Sequence, residues 1–331
     1  MSNKECVLKK TSIGGQALIE GVMMRGPQKT AMAVRHTSSE IRMEEFDNPT
    51  SKCAWVKKVP LLRGLFGMYD SLTFGYKCLM RSAELSGLEE ELEDAMEEDT
   101  NPEEAAAKKE KNKKKASALM NVVMVVGMVL GVALSLVLFM WLPSFLFKAL
   151  APLVPALEDG TSAYAVVRGV FEGILRIAIF LGYMLAVSRM KDIRRTFQYH
   201  GAEHKSIFCY EKGLPLTVEN VRAQKRFHPR CGTSFMVVML IIGIIISILI
   251  PISNVYLRTV VKLLMLPLTV GVGYECIKLA GRHENWFTRA ISAPGLWMQR
   301  ITTIEPEDGM IECAIKALEA VIPEDPEADK W

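Results

Sequence analysis

The chain has 331 residues, with 40 basic and 37 acidic side chains and a formal net charge of +3. So small a net charge gives no argument for nucleic-acid binding. Hydrophobic residues make up 50% of the chain although 23% of it is charged, and mean hydropathy is +0.18. The apolar residues must therefore be concentrated in segments, which indicates a membrane protein. The seven cysteines are scattered and form no CxxC pair, which argues against a disulfide framework.

Residues 1–87 are predicted to form a small cytoplasmic α+β region. Residues 14–26 contain several glycines without Walker or dinucleotide spacing, which predicts a tightly packed turn and strand, with a ligand loop as the alternative. Residues 31–35 and 40–46 alternate apolar and polar side chains around a turn, which predicts a β-hairpin. Residues 59–85 have the pattern of an amphipathic helix that lies against the membrane or the helical bundle.

A charged, low-complexity linker is predicted over residues 88–117, because it has too little apolar content to pack. Residues 118–281 are predicted to be a transmembrane domain with four helices and a cytoplasmic His-rich loop over residues 189–233. The predicted spans cover residues 118–141, 164–188, 234–250 and 257–280. Cytoplasmic interfacial and C-terminal helices are predicted within residues 282–331. The expected fold is a mainly α, polytopic helical membrane protein.

Lysine and arginine placement predicts the orientation of these spans. A basic run at residues 108–115 precedes the first span, and the loop at residues 189–230 is rich in lysine and arginine. The loop at residues 143–163 contains few of these residues. We therefore expect both termini on the cytoplasmic side of the plasma membrane, with the bilayer itself as a partner.

Three of the five histidines, His200, His204 and His228, fall in the predicted cytoplasmic loop. His200 and His204 share a helix face at i, i+4, so both imidazoles could bind one divalent metal ion such as Zn²⁺. Glu203 lies between them in the order H-x-x-E-H, the inverted zincin pattern, and would be the general base. The third ligand is open: His228, Cys231 and Glu275 are the candidates.

The same residues fit a structural polar network that fixes helix ends, so the pattern alone supports two interpretations. Within the second predicted span, Glu172 and Arg176 have i, i+4 spacing. A buried ion pair is the simpler interpretation of those two, with a transport or substrate path as the alternative.

Three motifs resemble the YqhQ-like bacterial membrane proteins, domain-of-unknown-function family DUF1385. The motifs are Gly14-Gly15-Gln16-Ala17-Leu18-Ile19-Glu20-Gly21-Val22-Met23-Met24-Arg25, His200-Gly201-Ala202-Glu203-His204-Lys205 and His228-Pro229-Arg230-Cys231-Gly232-Thr233-Ser234-Phe235, and a closing Thr302-Thr303-Ile304-Glu305-Pro306 stretch agrees with them. The resemblance implies a predicted metal-dependent enzyme without an assigned reaction. It carries the motif positions over to His200, Glu203, His204, His228, Arg230 and Cys231.

Two functional hypotheses follow. The first is a bacterial, membrane-embedded metalloenzyme, most simply a hydrolase of a peptide or lipid-linked substrate. His200, His204, His228 and Cys231 are its candidate metal ligands, Glu203 would activate water, and Arg230 would bind an anionic group or stabilise an oxyanion. The second is a non-enzymatic adaptor or transporter with a structural His/Glu/Arg network. Four spans are few for a transporter, although a homo-oligomer would compensate.

Overall fold

We determined the fold from a computed structural model, which describes residues 9–48, 56–88, 122–123, 125–153, 161–250, 252, 254–282 and 285–330. These residues are mainly helical, with one small sheet near the N-terminus. The predicted charged linker lies outside the described residues, except for Leu88.

A four-stranded antiparallel sheet forms from strands that pair in sequence order. The strands are β1 (Gly14–Leu18), β2 (Gly21–Arg25), β3 (Lys29–Arg35) and β4 (Ile41–Asp47). In the β3–β4 pair, Lys29 lies opposite Asp47 and Arg35 lies opposite Ile41, so these strands form the hairpin that the alternating pattern predicts. β1 and β2 form a second hairpin from the glycine-containing segment.

The helices follow the sheet in the chain. They are α1 (Leu62–Leu85), α2 (Val125–Leu153), α3 (Ser162–Val187), α4 (Lys191–Glu211), α5 (Val218–Arg222), α6 (Gly232–Ile248), α7 (Val255–Leu264), α8 (Leu266–Arg282), α9 (Trp286–Thr302) and α10 (Asp308–Glu319). The segment that we expected to be a His-rich loop, residues 189–233, is largely helical. It contains α4, which begins soon after α3 ends, and α5.

Helices cover both faces of the sheet, because successive side chains of a strand point in opposite directions. Val22 and Met24 of β2 belong to a core that also contains residues of α4 and α10. Met23, between them, packs on the other face with Cys78 of α1. The sheet is therefore held between α1 on one side and α4 with α10 on the other.

Two helices, α2 and α3, are long and apolar enough to cross a membrane. α7 and α8 pass that test only as a pair, and they meet at a bend of 47°. α6 is predominantly apolar but has 17 residues, fewer than the roughly 20 that a hydrocarbon core requires. The described residues therefore contain two helices that could span a membrane, or three if the bent pair is one span, and not clearly the four that we expected.

Proline explains where two of these helices depart from expectation. The bend between α7 and α8 falls just before Pro267, whose ring disfavours a helical residue in front of it and which has no N–H to donate. α2 continues to Leu153, through residues that we expected to form a loop. Pro143 is tolerated there because it lies in the first turn of the α-helical segment that follows a π-helical turn, Val137–Trp141.

Close backbone approach fixes α3 against α6. A Cβ atom at Gly169 would lie 3.0 Å from the Cα of Ile248, and one at Gly173 would lie 2.7 Å from a methyl carbon of Ile244. Two small residues at i, i+4 allow apolar helices to pack this closely. The contact places the ionisable residues of α3 beside the end of α6.

Candidate metal centre

His200 and His204 lie on one face of α4, and their ring centroids are 4.4 Å apart. The helix therefore provides the i, i+4 arrangement that the motif predicts. His204 is only 1% exposed. The two imidazoles form one side of a small polar group between the sheet and the start of the apolar helix α6.

Cys231 reaches this group from the N-cap position of α6. Its Sγ lies 3.2 Å from His200 Nε2, and it accepts a hydrogen bond from the backbone N–H of Thr233. Burial alone would raise the pKa of the thiol, but the imidazole of His204 and the hydrogen bonds with Thr233 bring that pKa below its ordinary value. These contacts act in the direction of the thiolate, which is the form that binds metal ions.

Both imidazoles are oriented by backbone carbonyl groups. His200 Nδ1 lies 2.9 Å from the oxygen of Thr302, and His204 Nδ1 lies 2.5 Å from the oxygen of Arg226. Because a carbonyl oxygen only accepts hydrogen bonds, each Nδ1 carries a proton, so Nε2 is the nitrogen of each ring that could bind a metal ion. Burial also lowers the pKa of His204. Histidine ligands of metal ions are typically held in this way.

The ligand atoms of His200, His204 and Cys231 all lie within 4.8 Å of one another. Nitrogen and sulfur ligands of a tetrahedral Zn²⁺ ion are about 3.6 Å apart, given bond lengths of about 2.0 and 2.3 Å. His204 Nε2 is buried and has no hydrogen-bond partner among the described residues. A bound metal ion would satisfy this nitrogen. Three soft or borderline ligands with this spacing fit a zinc-like ion.

Glu203 is buried against the sheet beside these three residues. It accepts a hydrogen bond from the backbone N–H of Gly15, while its Oε2 has no partner within the described residues. A Cβ atom at Gly15 would lie 2.9 Å from Glu203 Cγ, so the glycine is what allows β1 to approach the carboxylate. Burial raises the pKa of Glu203 to about 7. A carboxyl group with that pKa can take up and release a proton near neutral pH.

His228 and Arg230 form a second group around Glu211 at the end of α4. His228 Nε2 lies 3.7 Å from Glu211 Oε2, and the guanidinium of Arg230 forms an ion pair with Glu211. Arg230 also donates to the backbone oxygen of Thr11. The ring of His228 lies 5.5 Å from that of His204, yet its nitrogen is directed to Glu211. The structure thus brings together three of the four predicted metal ligands and places His228 next to them.

Glu275, the remaining candidate ligand, contacts a different part of the molecule. Its carboxylate accepts hydrogen bonds from Nε and Nη2 of Arg63 and from the backbone N–H of Leu61. These contacts join α8 to the start of α1. Glu275 is not in the metal-ligand group of the described residues.

Comparison with known proteins gives the chain a family but no reaction. A family model described as "Protein of unknown function (DUF1385)" matches residues 59–324. The chain belongs to the DUF1385 family. It is 33% identical over 313 residues to the "Uncharacterized protein YqhQ" of Bacillus subtilis strain 168, which covers 93% of this chain and 92% of that protein. No solved structure is significantly similar to it.

In this DUF1385 protein the motifs that are far apart in sequence meet at the His200–Cys231 group. Gly15 of the first motif contacts Glu203, and the last motif supplies the Thr302 carbonyl that orients His200. Gly201 allows this last contact, because a Cβ atom there would collide with the backbone oxygen of Ile304. The glycine inside the His motif is thus explained by close packing of α4 against the chain after α9.

Several residues of the centre were not found by sequence reasoning. Thr302 and Arg226 act through backbone carbonyls, which leave no signal in a side-chain pattern. Glu305 pairs with Lys205 and Arg226, and it was noticed only as part of the closing motif. Glu211, which holds His228 and Arg230, is an isolated glutamate in the sequence and carries no motif.

Proposed function

We propose that this DUF1385 protein is a membrane-embedded, metal-dependent hydrolase that acts at the cytoplasmic face of the bacterial plasma membrane. The observation that carries the proposal is the convergence of His200, His204 and Cys231, with both Nε2 atoms on the side of the thiol because both Nδ1 atoms are bonded to carbonyl oxygens. A purely structural polar network does not require two imidazoles and a thiol to present acceptor atoms to one point.

Three protein ligands are the number typical of catalytic zinc sites, which keep one coordination position for water or substrate, whereas structural zinc sites usually have four. A divalent ion held here would supply Lewis acidity and would lower the pKa of a water molecule. We name His200, His204 and Cys231 as the residues that would hold it. His228, whose ring faces Glu211, fixes the neighbouring turn.

Glu203 is the proposed general base. Its buried carboxylate has one oxygen without a hydrogen-bond partner in the described part of the chain, and it interacts electrostatically with both His200 and Cys231. It would accept the proton of the attacking water and deliver it to the leaving group. Arg230 pairs with Glu211 and its Nη2 lies 3.4 Å from His228 Nε2, so we assign it a positioning role in place of the substrate contact that the sequence suggested.

The position of the centre favours a substrate at the membrane surface. Cys231 precedes the first turn of the apolar helix α6, and α4 follows the apolar helix α3 after residues 188–190. Basic residues are frequent between residues 189 and 230, which favours the cytoplasmic side. A lipid-linked molecule or a membrane-associated peptide could reach a site that lies where apolar helices end.

Metal analysis of the purified full-length protein tests the proposal. We expect about one equivalent of a zinc-like ion in the wild type and loss of that ion in the His200→Ala plus His204→Ala double variant. His36→Ala is the matched control, because His36 bonds Ser38 at the other end of the sheet, and it should keep the metal. Equal, near-zero metal in all three proteins would refute the proposal and favour the adaptor or transporter hypothesis with a structural network.

A further inference from the structure

A buried group of charged side chains, which we call the Glu172 cluster, lies among the apolar helices. It consists of Arg168, Glu172 and Arg176 of α3 with Arg258 and Lys262 of α7. The Glu172 side chain is 0% exposed, and the four cationic side chains are at most 8% exposed. Charged groups this deeply buried are costly unless they are paired, and they commonly mark functional sites in membrane proteins.

Positive charge exceeds negative charge in the Glu172 cluster. Even without Arg168, three cations face the single carboxylate of Glu172: Arg176, Arg258 and Lys262. Two formal positive charges are therefore without a counter-ion among the described residues. An anion at this place would remove that imbalance.

Hydrogen-bond donors also exceed acceptors. The Oε2 atom of Glu172 faces Lys262 Nζ at 2.7 Å, Arg176 Nη2 at 3.1 Å, Ser247 Oγ at 3.3 Å and Arg258 Nη2 at 3.5 Å. A carboxylate oxygen has two lone pairs, so four donors cannot all be satisfied there, and Arg258 Nη2 has a shorter bond to the backbone oxygen of Ser247 at 2.8 Å. Arg258 Nε is buried and has no acceptor within the described part of the chain. The cluster therefore has donors to offer to a further acceptor.

Two irregularities of the helices converge on the same cluster. The π-helical turn of α2 frees the backbone oxygen of Phe139, which accepts a hydrogen bond from Arg176 Nε at 2.7 Å. Arg258 and Lys262 belong to α7, which is bent by 47° from α8. π-Helical turns and broken membrane helices are frequent at binding sites, because both change the supply of backbone groups.

We propose that the Glu172 cluster is a binding site for a phosphate-type oxyanion. Guanidinium and ammonium groups are the side chains that recognise phosphate in proteins. The site is separate from the metal centre, since Cys231 precedes the first turn of α6 and Ser247 lies in its last turn, about 24 Å away at 1.5 Å per residue. The proposal therefore does not depend on the proposed hydrolase function.

Phosphate could come from a lipid headgroup or from solution, and two arms of one experiment separate these sources. In the first arm, the thermal stability of the full-length protein in nonionic detergent is compared in sodium phosphate and in sodium chloride of equal ionic strength. In the second arm, the protein is placed in nanodiscs of phosphatidylcholine with or without phosphatidylglycerol, and bound phosphatidylglycerol is counted by native mass spectrometry. Stabilisation in the first arm identifies free phosphate, and retained lipid in the second identifies the headgroup.

Two substitutions in the Glu172 cluster should change its affinity for the anion in opposite directions. Lys262→Gln removes one cation and should weaken anion binding at least about fivefold, whereas Lys316→Gln, an exposed position on α10, should leave it unchanged. Glu172→Gln removes the competing carboxylate while keeping its shape, so it should strengthen anion binding about tenfold or more. Glu219→Gln on the exposed face of α5 is its control.

The opposite signs separate a binding site from a structural network. A network without a ligand would lose stability in both Lys262→Gln and Glu172→Gln and would respond to neither anion. Absence of an anion effect in both arms would overturn the proposal. An anion effect that Lys262→Gln and Glu172→Gln leave at the wild-type value would overturn it as well, because the anion would then bind elsewhere.

Discussion

The two buried polar clusters at the ends of α6 differ in the kind of group they present. The candidate metal centre presents two imidazole nitrogens and a thiol sulfur, atoms that can act as electron-pair donors to a metal ion. The Glu172 cluster presents guanidinium and ammonium groups, which are hydrogen-bond donors only. The first arrangement suits a cation and the second suits an anion, although one apolar helix joins the two.

The backbone carbonyl groups around the two clusters also have different effects. Carbonyl oxygens of Thr302 and Arg226 hold the Nδ1 protons of the histidines and so keep their Nε2 atoms as acceptors. In the Glu172 cluster, carbonyl oxygens of Phe139, Ser247 and Ile252 accept from the arginines and use only some of their donors. Backbone carbonyls are thus the common positioning device, and the side chains decide which charge is bound.

The largest effect is expected from removal of the sulfur ligand. Cys231→Ser should lower the affinity for Co²⁺ or Zn²⁺ at least about 100-fold, because a thiolate is replaced by a poorly ionised hydroxyl. The sulfur-to-cobalt absorption band of the Co²⁺ protein should disappear, while the response of the Glu172 cluster to phosphate should stay the same. Cys276→Ser, a half-buried cysteine of α8, should leave the band intact. A band that survives in Cys231→Ser would show that the thiol is not a ligand.

A smaller effect is expected where α4 meets the chain after α9. Gly201→Ala should destabilise the protein by about 1–3 kcal/mol, since the added methyl group would collide with the backbone oxygen of Ile304. Gly182→Ala in α3 is the matched control, because a Cβ atom there meets nothing within 4 Å, and it should be neutral or slightly stabilising. Thermal unfolding in detergent measures both. Equal unfolding temperatures for the two variants would contradict the close contact.

The smallest effect is expected from the polar groups around the metal ligands. Lys205 is buried, donates to the backbone oxygen of Arg222 at 2.8 Å and pairs with Glu305, which also holds Arg226. Lys205→Met should therefore loosen the Arg226 carbonyl that orients His204 and weaken metal binding about tenfold. Competition with a metal chelator measures the change, with exposed Lys316→Met as the control. Unchanged metal affinity would limit Lys205 to a purely local role.

The sequence predicted which candidate ligands lie close together better than it predicted their orientation. Helical periodicity placed His200 and His204 on one face, and the short distance of Cys231 from the apolar segment placed the thiol near a helix end. The choice between Cys231, His228 and Glu275 could not be made from sequence, because it depends on which nitrogen or oxygen is already occupied. His228 is paired with Glu211, and Glu275 is paired with Arg63. Neither partner belongs to the sequence motif of the residue with which it pairs.

The fold, too, was predicted only in part from the sequence. Alternating and helical patterns located the β3–β4 hairpin and α1 to within a few residues, and they placed helices within residues 282–331, where α9 and α10 lie. Four apolar stretches were expected to be four spans, yet α6 is short and the last stretch is bent at Met265. Hydropathy records how apolar a segment is but not where a helix breaks, which depends on local contacts of proline and on tertiary packing.

X-ray absorption at the zinc edge of the metal-loaded protein tests the central claim most directly. The arrangement of His200, His204 and Cys231 predicts one sulfur at about 2.3 Å and two imidazole nitrogens at about 2.0 Å, with one further light ligand. The sulfur contribution should be lost in Cys231→Ser and retained in Cys276→Ser. A spectrum of light atoms alone, without sulfur and without imidazole scattering, would contradict the assignment of this site as the metal centre.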